Sequence, residues 1–346
     1  MHINSFTQFR AIAILFIISG HSFSVVGMSF DSLFDKAVMN FISGGTSLFV
    51  FISGFLFHHV FYSKFNHKKF IIKKCQNVLY PYLIIGLAPI TLYVVTQSSA
   101  FDGYFLPNGE GILSEYIVPI IKYYISGRFI TAYWYIPFIM ITFFLSPIHV
   151  MFIRLNLKFQ MMIIILLSLV AVFIHRPIDN INVIQSFVYF TPVYLIGMVA
   201  SIHKNHIYKY LGSKEIYIFV FIFLVLLLQI YWGCEGSSHK QPFEFVGLDL
   251  MFIQKIALCF FFMVLLHRFE DVDNKYINVI ASTSFAAFFI HPFVISIISR
   301  LNLHYIQLDS WLFFLFFVGL LLSACIIASL SVKKLIPNHS RYILGY

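Results

Sequence analysis

Ten apolar stretches, each long enough or nearly long enough to cross a bilayer, recur along the chain at about 6–28, 41–62, 76–97, 131–153, 160–175, 183–203, 214–233, 246–267, 277–300 and 310–333. A helix needs roughly 20 apolar residues to cross the hydrocarbon layer. Inside lipid every backbone N–H and C=O must be satisfied within the segment, which leaves helices as the spanning form for runs of this length. The 346 residues are 60% hydrophobic and 11% charged, whereas soluble domains are about a quarter charged. The expected fold is therefore all-α: a polytopic membrane protein of about ten transmembrane helices. Almost the whole chain is spent on spans, so a single membrane domain over 1–346 is expected, with no appended soluble catalytic domain. The first stretch is too long for a signal-peptide core and has no convincing cleavage site, so it reads as a retained helix.

The net charge of +9 does not point to nucleic acid, because the cations sit in short loops beside apolar segments. When the loops are assigned alternately to two sides, fifteen Lys and Arg fall on one, including the cluster Lys64, Lys68, Lys69, Lys73 and Lys74. Six fall on the other side (Lys36, Lys122, Arg128, Arg176, Lys240 and Arg300), while Arg10 and Lys255 lie inside spans. The positive-inside rule then places both termini in the cytoplasm. The longest non-spanning segment, about 98–130, falls outside. Within it Gly111–Ile125 is apolar but carries Glu115 and Lys122, which suits an interfacial or re-entrant piece. Cys75, Cys234, Cys259 and Cys325 show neither disulfide nor metal-ligand spacing, so no metal is expected.

Arg10 and His21 stand out in the first helix. Eleven steps at 3.6 residues per turn bring both side chains to one face, about 16 Å apart along the axis. Ionisable groups inside a membrane usually face a bundle interior or a wet cavity. The stripe thus offers a fixed cation near one surface and a titratable base deeper in. An extended anionic substrate could lie along it with its reactive end at the imidazole.

Arg10-x10-His21 resembles the signature of the acyltransferase family 3 membrane proteins, which O-acylate bacterial surface carbohydrates. Four further pieces agree, in family order. Ser47-Leu48-Phe49-Val50-Phe51-Ile52-Ser53-Gly54-Phe55 resembles the Phe-rich Ser-Gly segment of the family's helix 2. Tyr80-Pro81-Tyr82 follows a basic loop, as in helix 3. Ala132-Tyr133-Trp134-Tyr135-Ile136-Pro137 is similar to the aromatic opening of helix 4. Ser284-Phe285-Ala286-Ala287-Phe288-Phe289-Ile290-His291-Pro292 resembles the C-terminal Ser-Tyr-x-x-Tyr-x-x-His-Pro segment. There are departures: Asn77-Val78-Leu79 stands where an arginine often precedes the helix 3 proline, and the two family tyrosines are Phe285 and Phe288. Lys73 and Lys74 are the nearest cations, without arginine's planar fork.

The resemblance implies a multi-pass protein of the cell inner (plasma) membrane that uses no bound cofactor. It would take acetyl-CoA, or another acyl-CoA, from the cytoplasm as co-substrate and a lipid-linked or nascent surface polysaccharide as acceptor. Arg10, with Lys73 and Lys74, would hold the donor's phosphates. His21, whose ordinary pKa is about 6.5, would serve as general base toward a sugar hydroxyl. Ser53 is a candidate oxyanion donor, and no carboxylate is recognisable as the partner of His21. A relay through an acyl-histidine is a second version of the chemistry.

Each residue also has a plainer reading. Arg10 can snorkel, and His21 can be a packing residue. Ser53-Gly54 can be a small pair for close helix approach. Trp134 can belong to an interfacial belt, or it can line the acceptor side with His291. His291 can instead satisfy a backbone carbonyl freed by Pro292. Lys255, mid-span with no carboxylate three or four residues away, is expected to line the substrate tunnel. The alternative function is a secondary transporter or flippase for a glycan or anionic small molecule, built on Arg10, His21 and Lys255. Such proteins often carry internal repeats, and none is visible here.

Overall fold

The bundle closes around its first helix. The run Ala11-Ile12-Ala13-Ile14-Leu15-Phe16-Ile17-Ile18 can bury its backbone polar groups only as a helix, and α1 extends over Asn4–Val26. Its first turn has no side-chain cap of its own. Instead Glu270 accepts the Asn4 N–H at 2.6 Å and the Ser5 N–H at 3.1 Å. This satisfies two of the free N–H groups and sets a negative charge at the positive end of the helix. Gly27, in the left-handed conformation at φ 69°, ends α1 by returning its N–H to Phe23.

The computed structural model describes residues 3–96, 103–106, 109–301 and 308–346. After α1 come α2 (Leu33–Ile42), α3 (Thr46–Leu56), α4 (His67–Lys74), α5 (Tyr80–Thr91), α6 (Val118–Ser126), α7 (Tyr135–Phe144) and α8 (Ser146–Ile153). They are followed by α9 (Leu157–Ile174), α10 (Val183–Ile202), α11 (Lys204–Leu211), α12 (Glu215–Tyr231), α13 (Leu250–His267), α14 (Lys275–Arg300), α15 (Trp311–Leu335) and α16 (Ser340–Leu344). Among the described residues, eight helices or near-continuous helical runs are long and apolar enough to cross a membrane, or up to ten if two bent pairs each count as one span. The expected all-α polytopic architecture is the one observed.

Two expectations need adjustment. The second span, read as unbroken over 41–62, is interrupted at Ser43–Gly45, where Gly44 takes φ 76°. The fourth bends by 59° between α7 and α8, where Pro147 opens the second half and cannot continue the ladder of the first. The Gly111–Ile125 piece, not expected to span, is a helical run from Leu113 through Ser126, about 21 Å long and too short to cross. Residues 97–102 and 107–108 of the surrounding 98–130 segment lie outside the described residues.

Burial sorts the helices. α1 packs against α14, α15, α13 and α3, and Phe9, Ala13, Ile14 and Ile18 are wholly buried. α10 is internal, with 72% of its window buried, whereas α9 has 22% and presents Leu166 and Leu169 outward, as a lipid-facing helix must. α3 and α10 cross at two glycines. A Cβ on Gly54 would lie 2.0 Å from the Tyr194 carbonyl oxygen, and one on Gly197 would lie 2.2 Å from that of Phe51. Close approach of two backbones in a membrane requires such residues. Between the helices, β1 (Arg176–Pro177) pairs in parallel with β2 (His239–Lys240), tying together two loops at the C-terminal end of α1.

Candidate active site

α1 carries Arg10 and His21 into two different cavities. Arg10, half-buried, lines one of about 280 Å³ together with Ser53, Lys73, Lys74, Asn77 and Tyr135. Its Nη2 donates to Ser284 Oγ on α14 at 3.2 Å. Lys74 Nζ sits 4.3 Å from the ring centre of Phe143 and 5.2 and 5.3 Å from those of Phe61 and Phe70. The ring faces supply the negative potential that holds this ammonium. The chain leaves Lys73 and Lys74, at the end of α4, through a five-residue π-turn, Cys75–Leu79, that leads into α5, a wide turn of the kind often found at functional sites. Among the described residues, no Asp or Glu lines the cavity. Three cations gathered without a counter-charge repel one another, and an anion relieves that repulsion.

His21 lines the second cavity, of about 200 Å³, with Gly20, Thr131, Trp134, Arg176 and His239. Its Nδ1 is 3.3 Å from Thr131 Oγ1. One side of this cavity is the break between α2 and α3: Ser43, Gly44, Gly45 and Thr46. Irregular backbone at membrane depth is tolerated where it borders a polar cavity. A further opening, lined by His21, Ser24, Thr131, Ser296 and Arg300, reaches the imidazole from another direction.

Ile17 and Phe288 line both cavities. Both are buried, at 7% and 4% exposure, so the two chambers adjoin across an apolar wall. Positions 10, 17 and 21 share one helix face, so a single stripe of α1 supplies the cation, the wall and the imidazole in turn.

The other expected residues separate. Ser53 lies in the Arg10 cavity, within hydrogen-bond reach of Tyr135, and does not line the His21 cavity. Its neighbour Gly54 serves the α3–α10 crossing, so the pair divides between site and packing. Trp134 is buried beside His21, stacked on Phe138 and Phe190, instead of sitting in an interfacial belt. His291 is buried and lines neither cavity. Its Nδ1 must donate to the Ala287 carbonyl, 2.8 Å away, since a carbonyl can only accept. That fixes Nε2 as an acceptor, buried without a partner, with the ring centre 5.5 Å from that of His21. Lys255 does not line a tunnel. It is fully buried and donates to the carbonyls of Asn40 and Phe41 at 3.1 and 2.7 Å, capping the C-terminal end of α2. Asn77, where the family pattern often has an arginine nearby, lines the Arg10 cavity, as do Phe285 and Phe288.

Sequence reasoning passed over Thr131 and Arg176. Arg176 was counted only as a loop charge, yet its guanidinium stacks on Trp134 at 4.7 Å. The available signal was its place on the side poor in cations, where an orientation role is weakest. Among the described residues no group of His, Cys, Asp and Glu is arranged to hold a metal ion.

A family model for the acyltransferase domain of acyltransferase family 3 matches residues 3–330. The chain belongs to acyltransferase family 3. No curated protein and no solved structure matches it. As a family 3 protein it is a membrane acyltransferase, and the matched region takes in every residue of both cavities.

Proposed function

We propose that this acyltransferase moves an acyl group, acetyl from acetyl-CoA, to a hydroxyl of a lipid-linked or nascent surface polysaccharide at the inner membrane. The observation that carries this reading is the pair of adjoining cavities on one face of α1: one holds uncompensated cations, the other an imidazole beside polar loops. With both termini in the cytoplasm, the Arg10 cavity faces the source of acyl-CoA. The donor's phosphates bind Arg10, Lys73 and Lys74, and its narrow pantetheine arm passes between Ile17 and Phe288. The thioester then meets an acceptor that enters from outside.

Thr131 engages Nδ1 of His21, leaving Nε2 to take the hydroxyl proton as the oxygen attacks the thioester carbonyl. The carbon–sulfur bond breaks on collapse of the tetrahedral intermediate, and the CoA thiolate leaves with the proton held by His21. His291, not a carboxylate, stands behind the catalytic imidazole, with its acceptor nitrogen buried nearby. The developing oxyanion is served by the backbone N–H groups of Gly45 and Thr46, which border the His21 cavity, in place of Ser53; those of Ser47 and Leu48 are already donated to the Gly44 and Gly45 carbonyls. Membership of an acyltransferase family favours this chemistry over transport.

The test uses purified protein and labelled acetyl-CoA. Release of CoA with label in a glycan acceptor supports the reading. Passage of a glycan across vesicles with no CoA release would support transport instead.

A further inference from the structure

The charge of Arg176 has no stable counterpart. The side chain is 9% exposed and lines the His21 cavity. Nη1 donates to Ser237 Oγ and Nη2 to Asn180 Oδ1, both at 2.8 Å, while Nε is buried with no partner among the described residues. Two of the five N–H donors of a guanidinium are thereby used. The nearby carboxylates are engaged elsewhere. Asp249 accepts the Tyr189 hydroxyl at 2.7 Å and the Phe252 N–H at 3.2 Å. Asp179 pairs with Arg128 at 3.2 Å and accepts the Tyr104 hydroxyl at 3.1 Å. Burial pulls the Arg176 guanidinium below its ordinary pKa, with Tyr189 and Asp249 opposing from a distance. A buried cation left this way is strongly disfavoured until a partner of opposite charge arrives.

The opposite side of the cavity reinforces the sign. Lys255 has already capped the carbonyl end of α2, whereas the N–H end of α3 begins at the cavity, at Thr46. The Ser47 and Leu48 N–H groups there are already donated to the Gly44 and Gly45 carbonyls, so this end contributes through the positive end of the helix dipole, which favours negative charge. Stacking on Trp134 fixes the plane of the guanidinium, as two-point recognition of an oxyanion requires.

We propose that Arg176 forms a subsite for an anionic acceptor sugar, taking a carboxylate or phosphate on the residue that is acylated or on its neighbour. The cavity is small, so a group on Arg176 and a hydroxyl at His21 belong to the same sugar or to adjoining ones. This subsite rests on the acyl-transfer reading for its purpose but not for its detection.

Full-length protein carrying Trp232→Phe and Trp311→Phe retains Trp134 as its sole indole, in contact with Arg176. Its fluorescence is titrated with methyl glucuronide, glucose 1-phosphate and neutral methyl glucoside, while CoA release from acetyl-CoA is followed in parallel. The expected result is a saturable change with at least one anionic sugar, at a concentration at least tenfold lower than for the neutral glycoside. Arg176→Gln should erase that preference and Arg176→Lys should retain part of it. The two anionic probes distinguish a carboxylate site from a phosphate site. Equal titration by all three sugars, no saturable response to either anion, or a preference surviving in Arg176→Gln overturns the subsite. If Arg176→Gln does not fold, the comparison among sugars on the Arg176 protein still decides. Anion preference without CoA release would leave the subsite standing and remove the acyl-transfer reading; release with indifference to acceptor charge would do the reverse.

Discussion

The two cavities along α1 are built on opposite plans. The Arg10 cavity sets its cations among aromatic rings, with Lys74 held by three phenylalanine faces and Lys73 exposed at the margin. The His21 cavity is bordered by loops and a broken helix whose polar groups are tied to one another: Thr131 to His21, Ser237 and Asn180 to Arg176. The first plan tolerates a long, flexible anion held by charge and apolar contact. The second fixes geometry, which a reacting hydroxyl needs. Variants on the two sides should therefore fail differently.

His21→Ala should show the largest effect, a fall in kcat of roughly 10²–10⁴-fold with little change in donor KM, as expected for loss of a general base. Steady-state CoA release at varied acetyl-CoA checks it, and full activity in the variant would break the assignment. Arg10→Ala should act on the other parameter, raising donor KM by roughly ten- to a hundredfold through loss of charge-assisted hydrogen bonds. A kcat effect alone would mean that the two chambers are not divided as described. Widening the wall with Phe288→Ala should raise acetyl-CoA hydrolysis in the absence of acceptor, and narrowing it with Ile17→Trp should lower transfer on the order of tenfold by misplacing the thioester. Acceptor-free CoA release measures the first, and label transferred to a glycan acceptor measures the second.

The smallest effect lies outside the chambers. Glu270→Gln should lower stability by about 0.5–1 kcal/mol, read by thermal unfolding in detergent. Burial works against the Glu270 carboxylate, but the hydrogen bonds from Ser5 and Asn4, with His267 nearby, outweigh it and hold its pKa below the ordinary value. Its contribution is therefore fully present above the ordinary glutamate pKa of about 4.3. It is lost as pH falls through the lowered value, and the variant should lack that acid-side decline.

The two plans were unequally legible. Arg10 and His21 share a face because of their spacing alone, and Lys73 and Lys74 follow from the charge cluster beside a span. Helix breaks were not legible. Hydropathy merges residues across Ser43–Gly45 into one span, so nothing in the pattern offers Lys255 the carbonyls it caps. Whether Ser53 could also reach an oxyanion near His21 was not legible for a related reason: its distance from His21 depends on how α3 crosses α1, which residue spacing within one helix does not determine. Arg176 was hidden because a loop charge near a span end looks like an orientation signal until its neighbours from other loops are known.

Ile17 and Phe288 also bear on the membrane's insulation. Polar space approaching from both faces of a bilayer threatens to let protons and ions run down their gradients. A hydrophobic septum made of two side chains resists filling with water, and a dewetted gap conducts poorly. On the proposed route the same pair that yields to a thin acyl arm also holds the gap shut to water and ions when no substrate is aboard.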